Sequence, residues 1–569
     1  MGDKKTLKKL VCLFQPHRRA IVILVIFLLL SSAANLLMPL MNKHIMDDGF
    51  LKNDLSQVAI FSLFAFLLFS LDKGLNLLKE GIRIHISAKI KNTLYETAYS
   101  HINRLKISYF HSSNYASLLN NINVDIGNMS RVTDDYVFFV ATQLFSIIGG
   151  IAGLLMIDWK LTLIVLSFVP VKFLLTHFFA KKRQQFMREY LKKNNDFALW
   201  FGDMVGGIKE SRLFGIVSCK EREFENKIQN VIEIERKASM LDAWNITSEL
   251  MIMQLLVTSL YIIGANMVFD LRLTVGGIFA FITYSSYVTN PISAIVNLRY
   301  VFSGILPSAQ RYYEFLDLET EENEASKEHS LGDYVFKGDI KFSNVSFSYE
   351  AGNPILQNVT FNIEAGQKVA VIGKNGSGKS TLINLVLRFY EVENGEITID
   401  GIRIQDLKLE EYRQHISVVD QQFYLFDGSI KDNLQLYADV SDKVLVQAIE
   451  DSRLTDFISL SSMEHRIGQN GACLSGGQRQ KLALARALVH EREIIIWDEA
   501  ASHLDAESEW NINELLTTRF KTKTVIMVTH NPEVLKYADQ IVAIENGKVI
   551  HVRSHETLER ILYEGSRSL

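Results

Sequence analysis

The sequence predicts two unlike halves: an α-helical membrane domain of six spans whose helices extend far into the cytoplasm, followed by an α/β domain built around a phosphate-binding loop. Three observations predict this. Long apolar runs gather into six stretches, all before residue 300. Gly373-Lys374-Asn375-Gly376-Ser377-Gly378-Lys379-Ser380 has the full spacing of a phosphate loop. The composition is mixed, with 48% hydrophobic residues, 22% charged residues and a mean hydropathy of +0.09, as expected when a lipid-facing part and an aqueous part share one chain. At 569 residues the chain is also too long for a single core.

Composition excludes some partners. A net charge of -4 and the lack of a basic domain give no footprint for nucleic acid. Cys12, Cys219 and Cys473 are far apart and have no metal-ligand spacing, so they read as reduced structural thiols.

Residues 1–19 carry Lys4, Lys5, Lys8, Lys9, Arg18 and Arg19 and read as a cytoplasmic N-terminal segment. The apolar run 20–40 that follows is too long for a signal peptide and lacks a small-residue cleavage pattern, so it reads as a retained span. Further runs at 57–78, 137–157, 161–180, 246–269 and 273–295 complete six spans within a membrane domain of 20–307. The connections 43–56, 158–160 and 270–272 are short or mixed in charge. The two long ones are basic, one with Arg83, Lys89, Lys91, Arg104 and Lys106, the other with Lys181, Lys182, Arg183, Arg188, Lys192 and Lys193. That asymmetry puts the long connections in the cytoplasm. Their heptad-like apolar spacing predicts helices that continue out of the membrane and turn once at a tip. The first turn is expected near Ser112 to Leu118, with Ser112, Ser113, Asn114 and Tyr115, and the second at Gly206 to Gly215, with Ile208, Lys209, Glu210, Ser211 and Arg212.

Ionisable groups inside spans mark function by default, because lipid makes them costly. Asp72, Lys73, Lys172, His177 and Glu249 fall between mid-membrane and the cytoplasmic side, as would groups facing an inward-opening cavity, and Tyr284, Tyr287, Thr289 and Asn290 add hydrogen-bonding groups in the last span. The alternative is helix-to-helix bonding or snorkelling at the interface.

After Pro307 the character changes, and Glu319 to Ser330 is acidic and polar, so 308–338 reads as a linker and 339–569 as the soluble domain. There Lys368 to Ile372 reads as a buried strand and Thr381 to Leu387 as a helix, with the phosphate loop between them. Gly373, Asn375, Gly376, Ser377, Gly378 and Thr381 would wrap a polyphosphate, Lys379 would reach its β and γ oxygens, and Ser380 would ligate Mg²⁺. Ile494 to Trp497 is an apolar strand ending in Asp498 and Glu499. Asp498 would hold the metal through water, and Glu499 would polarise the attacking water. Leu474-Ser475-Gly476-Gly477-Gln478 precedes a helical run and again offers donors at a helix start.

Leu474 to Gln478 resembles the signature sequence of ATP-binding cassette proteins, and the resemblance extends over nearly the whole chain. It implies a head-to-tail dimer in which Ser475, Gly476, Gly477 and Gln478 of one chain complete the ATP site of the other. It also implies that Tyr349 stacks on adenine, that Gln421 links Mg²⁺ and water to the membrane domain, that His530 meets the γ-phosphate, and that Asp505, within Ser502 to Asp505, joins the two sites. Leu273 to Gly277 is similar to the same family. Six spans ahead of one cassette look like an exporter-type half-transporter, whose two tips act as coupling helices. Departures are Asp420 in place of a proline, Gln469 in place of an acid, and Ala501 and His503 after the acid pair.

The resulting expectation is an ATP- and Mg²⁺-dependent exporter in a bacterial inner membrane. It would move an amphipathic substrate, a peptide, lipid or drug-like compound, with a peptide or amphipathic compound preferred. A homodimer is favoured over a heterodimer. An ATP-gated channel or regulator and an importer are the alternatives. No cysteine-protease domain precedes the first span, so the chain is not expected to trim a leader peptide.

Overall fold

The computed structural model describes the chain apart from residues 1, 113–114, 134, 322–335, 351, 421–422, 456–461, 499–513, 530–531 and 553–569. Its contacts divide it into two units, Met1–Asn103 with Asn114–Leu318, and Arg104–Ser113 with Glu319–Leu569.

The first unit is helical throughout its described residues. It comprises α1 (Gly2–Cys12), α2 (Arg18–His44) running into a π-turn at Ile45–Phe50, and α3 (Leu55–Ile102). After α4 (Ile107–Ser112), which groups with the other unit, come α5 (Tyr115–Ser130), α6 (Asp135–Ile157), α7 (Trp159–Gly206), α8 (Ile208–Leu213), α9 (Val217–Phe269) and α10 (Val275–Leu316). The six apolar runs fall in α2, α3, α6, α7, α9 and α10. Among the described residues, Lys5–Phe50, Leu55–Ile102, Trp159–Gly206 and Val217–Phe269 are long and apolar enough to cross a membrane. With 48, 48 and 53 residues, α3, α7 and α9 are over twice the length needed for a hydrocarbon layer of about 30 Å, so their polar ends extend past it.

The short connections are set by caps. Asp54 accepts from the N–H groups of Ser56 and Gln57 to start α3, Asp158 from Leu161 to start α7, and Thr274 from Gly277 to start α10, each satisfying orphan donors of a first turn. Leu30, Leu63, Phe66 and Leu174 point outward and are exposed, the reverse of a water-soluble bundle and the arrangement that suits a bilayer. Inside, Leu154, Leu161, Val165, Leu256, Leu260, Phe281, Tyr284 and Val288 form one core. Ile86, Ile90, Leu94, Ala98, Ile122, Ile126, Ile305 and Ala309 form another. At Gly153 an added Cβ would lie 2.7 Å from the Tyr284 ring, so glycine lets α6 approach α10 closely.

Two boundaries differ from the sequence reading. At the first tip an earlier break is added to the expected one: α3 already stops at Ile102, and Leu105 pairs with Thr320 in an antiparallel bridge before α4 begins, while α4 gives way to α5 between Ser112 and Tyr115, within the expected stretch, with 113–114 outside the described residues. The cause is pairing with a segment distant in sequence, which helical periodicity cannot register. Likewise α10 runs through Pro307 to Leu316, so the stretch expected as linker from 308 begins as helix. Pro307 costs one backbone bond, and the packing of Ile305, Ala309 and Tyr312 carries the helix across it.

The second unit alternates strands and helices: β1 (Ile340–Ser348), β2 (Pro354–Ile363), β3 (Lys368–Ile372), α11 (Lys379–Val386), β4 (Asn394–Ile399), β5 (Ile402–Arg403), α12 (Leu409–Arg413), β6 (Ile416–Val419), α13 (Ile430–Gln435), α14 (Asp442–Asp451), α15 (Gly476–Val489), β7 (Ile494–Asp498), β8 (Thr524–Val528), β9 (Gln540–Glu545) and β10 (Lys548–Val552). One sheet has the order β10-β9-β3-β8-β7-β6, parallel except for β10, and a four-stranded antiparallel sheet has the order β2-β1-β4-β5. The fully buried run Lys-Val-Ala-Val-Ile of β3 reflects a parallel strand covered on both faces. Helices α13, α14 and α15 enclose a smaller core of Leu425, Ile430, Leu434, Leu445, Ile449, Leu482 and Ala485.

Candidate nucleotide site

The phosphate loop leaves the buried strand β3 and enters α11. Gly373 has φ 154, and a Cβ there would meet Ile544 O at 2.4 Å and Ser377 Oγ at 2.6 Å, so only glycine fits. Gly378, at φ 109, is the N-cap of α11 and supplies no side-chain cap, which leaves the donors of that helix start for a ligand. Lys379, 6% exposed, lies back over the loop and donates from Nζ to Gly373 O at 2.7 Å and Lys374 O at 3.1 Å. Ser380 is exposed on the first turn, and Asn375 and Gly376 are exposed on the loop. Ser377 Oγ is buried and finds no hydrogen-bond partner among the described residues. An orphaned hydroxyl inside a glycine cradle, beside a lysine bonded to carbonyls, fits a polyphosphate.

Tyr349 flanks this loop. Its hydroxyl donates to Thr381 Oγ1 at 3.2 Å and accepts from Asn384 Nδ2 at 3.4 Å, and its ring meets Phe347 and Tyr390 edge-on at 5.0 Å each. Burial raises the Tyr390 hydroxyl above its ordinary value, so that neighbour stays neutral. The Tyr349 ring stays 47% exposed, a fixed aromatic face beside the loop.

Asp498 ends β7, and its register partner on β8 is Val528, which also pairs with Val371 of β3. The acid thus stands at the level where β3 hands over to the loop, on the carboxyl edge of the sheet where α/β ligands bind. Glu499, Gln421, His530, Asp505, Ala501 and His503 lie outside the described residues. Asp420 is exposed at the end of β6. Gln469 opens a short turn in which Asn470 (φ 49) accepts from Leu425 N–H at 3.3 Å.

At the signature stretch, Ser475 is the N-cap of α15. Its hydroxyl accepts from Gln478 N–H at 3.3 Å, and Gln478 Oε1 accepts from Ser475 N–H at 2.8 Å, a complete capping box. Gly476 and Gly477 face open space. A residue that sequence reasoning missed locks α15 in place: Arg486 donates to Asn433 O and Oδ1 and to Tyr424 O, and burial lowers its pKa. The available signal was an arginine on the apolar side of the helix; its partner 53 residues away carried none.

The polar groups of the membrane unit separate into two clusters. Asp72, 2% exposed, accepts from Ser31 Oγ at 2.5 Å, Asn35 Nδ2 at 2.9 Å and Asn76 Nδ2 at 3.0 Å, with Lys73 Nζ at 3.1 Å. Lys172, 3% exposed, lies 3.8 Å from Glu249, which accepts from Ser293 Oγ at 2.8 Å and Asn245 Nδ2 at 3.2 Å. Tyr284 and Tyr287 donate to Leu36 O at 2.7 Å and Asn35 O at 3.3 Å. Asp72, Lys172 and Tyr284 are therefore packed between helices, not ranged on an open cavity wall, because a charge or hydroxyl at that depth needs partners. Lys73, His177 and Asn290 are exposed.

Of the two tips, α8 bears Ile208, Lys209, Glu210 and Arg212 exposed and Ser211 buried, followed by exposed Leu213 and Phe214. At the first tip Ser112 ends α4 and Tyr115 begins α5, while Ser113 and Asn114 lie outside the described residues.

Residues 21–292 match the ABC transporter transmembrane region and residues 356–502 the ABC transporter model. The ATP-dependent lipid A-core flippase of Pasteurella multocida (strain Pm70) is 30% identical over 566 residues, 98% of this chain and 96% of the relative. That of Haemophilus ducreyi (strain 35000HP / ATCC 700724) is 29% identical over 97% of this chain and 96% of the relative. A bacterial Atm1-family ABC exporter solved with ATP bound superposes with a TM-score of 0.81 at 21% identity, covering 97% of this chain and 98% of that one, a likeness of fold.

Proposed function

This chain belongs to the ATP-binding cassette transporter family, as an ATP-hydrolysing half-transporter of exporter type, and from that premise we propose that it moves an amphipathic lipid from the cytoplasmic leaflet of a bacterial inner membrane outward. The observation that carries the substrate class is the full-length similarity to flippases of lipid A-core. It shifts the preference from a peptide to a lipid, and no observation favours the importer or channel reading.

The working unit is a dimer, with a second copy of this chain favoured. Lys379 exchanges the loop carbonyls of Gly373 and Lys374 for the β and γ oxygens of ATP, and Tyr349 holds the base. Ser380 and Asp498 would hold Mg²⁺, which would supply charge neutralisation on the phosphates. Ser475, Gly476, Gly477 and Gln478 of the second copy close the site. Glu499 as general base, with Gln421, His530 and Asp505, completes the set assigned by the family resemblance. Leu213 and Phe214 beside α8 are exposed, which supports the coupling role that the family resemblance assigns to this tip. ATP drives the cycle by binding the closed dimer more tightly than the open one.

Reconstituted vesicles test the reading. A fluorescent phosphoglycolipid placed in the outer leaflet should become protected from a membrane-impermeant quencher when ATP and Mg²⁺ are added outside. Protection should vanish in Glu499→Gln, which still binds ATP. If no ATP-dependent protection develops although ATP is hydrolysed, the lipid assignment fails.

A further inference from the structure

The far end of the nucleotide-binding helix is gripped by side chains of α12. Tyr412, fully buried, donates its hydroxyl to Val386 O, and Arg413 donates from Nε to Leu387 O at 3.2 Å and from Nη2 to Arg388 O at 3.2 Å. The Arg413 guanidinium also lies 4.8 Å from the centre of the Phe389 ring. Last-turn carbonyls are orphan acceptors at the negative end of the helix dipole, so a cation there is doubly favoured. The helix so held, α11, is the one whose first turn carries Lys379 and Ser380.

The same guanidinium reaches away from the cassette core. Its Nη1 donates to Glu321 Oε2 at 2.7 Å and its Nη2 to Glu321 Oε1 at 3.2 Å, a bidentate pair in which the carboxylate is 13% exposed. Glu321 is in turn bound to the first cytoplasmic tip, since its N–H donates to Arg104 O at 2.7 Å and its neighbour Thr320 forms the bridge with Leu105. Lys106 Nζ adds an ion pair with Glu319 at 2.7 Å, which raises the lysine and lowers the carboxylate from their ordinary values. One residue later α4 begins. A connected path therefore runs from the phosphate loop along α11, through Arg413 and Glu321, into Arg104 to Lys106.

We propose that the Arg413–Glu321 pair is a positioning link that transmits nucleotide-dependent displacement of α11 to the tip at Arg104 to Ser112, by a route that does not pass through Gln421. A forked arginine–carboxylate pair fixes orientation as well as distance, so a tilt of α11 is converted into a movement of the paired backbone at 104–106. Glu321 is the separable half of this link. Its loss leaves Arg413 on Leu387 O and Arg388 O, so α11 remains capped while the tip is released. The proposal rests on ATP-hydrolysing transport alone and is independent of the substrate.

Hydrogen–deuterium exchange of the full chain in lipid discs, with and without ATP, Mg²⁺ and vanadate, tests it. In the native protein both the loop 373–380 and the tip 104–112 should change protection. In Glu321→Gln the loop response persists while the tip response falls by at least about fivefold, the lower end of ordinary allosteric coupling. Arg413→Lys, which keeps a cation on the carbonyls but lacks the fork, should give the same separation. An undiminished tip response in both variants, a parallel loss at loop and tip, or no tip response in the native protein would each overturn the proposal.

Discussion

The start of α11 and the start of α15 are both glycine-rich and both contain a serine, yet they treat their backbone donors in opposite ways. At α11 the N-cap is Gly378, no side chain caps the helix, and Ser377 Oγ is left buried without a partner among the described residues. At α15 Ser475 and Gln478 satisfy each other in a capping box, and Gly476 and Gly477 look onto open space. The first keeps its donors and a hydroxyl unsatisfied among the described residues. The second is complete as a helix start and, among the described residues, its glycines meet no neighbour within 4 Å, as the proposed closure over a ligand held by another copy requires. The difference teaches that a glycine-rich helix N-terminus is not by itself a binding site; what its cap leaves unsatisfied decides.

Two substitutions separate the halves. Lys379→Ala removes the cation of the first and should lower ATP hydrolysis by about 10²- to 10³-fold, the range for deleting one charge-stabilising group, and should also abolish the ATP-induced rise in melting temperature. Gly477→Val should cost on the order of 10²-fold in turnover, the size expected from displacing a reacting geometry by about 1 Å, because in the proposed dimer the new side chain would occupy the space where a second chain closes. Since a Cβ there meets nothing within 4 Å, the variant should fold normally and keep its ATP-induced thermal shift. Loss of that shift in Gly477→Val would break the comparison by placing the signature in the site of its own chain.

What was legible in the sequence follows the range of the interactions. The strand, loop and helix around Gly373 to Ser380 are a local device, so their spacing sufficed to place those elements, and the apolar run sufficed to place the strand ending in Asp498. The membrane helices were legible because the bilayer imposes a run of about twenty apolar residues. The additional break at 103–106 of the first tip was not legible because Leu105 pairs with Thr320, and Lys106 with Glu319 across 213 residues. Nothing within one helical period announces such pairing. The end of the membrane domain was misread at Pro307, where packing overrides the local penalty. Asp72, Lys172 and Glu249 were recognisable as costly in lipid, but Ser31 and Asn35 reach Asp72 from another helix, Glu249 pairs with Lys172 from another helix, and Ser293 reaches Glu249 from a third, so their burial could only be seen once the helices were packed.

The smallest expected effect gives the sharpest test of the comparison. Ser377→Ala deletes the orphaned hydroxyl, and a buried polar group without a partner carries a penalty of about 1–3 kcal/mol when a ligand is absent. The nucleotide-free protein should therefore be as stable as the native one or more so, by up to about 1 kcal/mol once loss of packing is allowed for. With ATP the sign reverses. The native serine gains a bond to phosphate that alanine cannot make, worth about 0.5–1.5 kcal/mol, so ATP affinity should fall by roughly 2- to 12-fold at 1.4 kcal/mol per decade. Melting curves at zero and saturating ATP, together with a binding isotherm, check both signs in one preparation. Ser475→Ala should behave oppositely in the nucleotide-free state, losing about 1 kcal/mol because a satisfied cap is removed. Equal responses of the two serine variants would mean that the two helix starts are not built for different tasks.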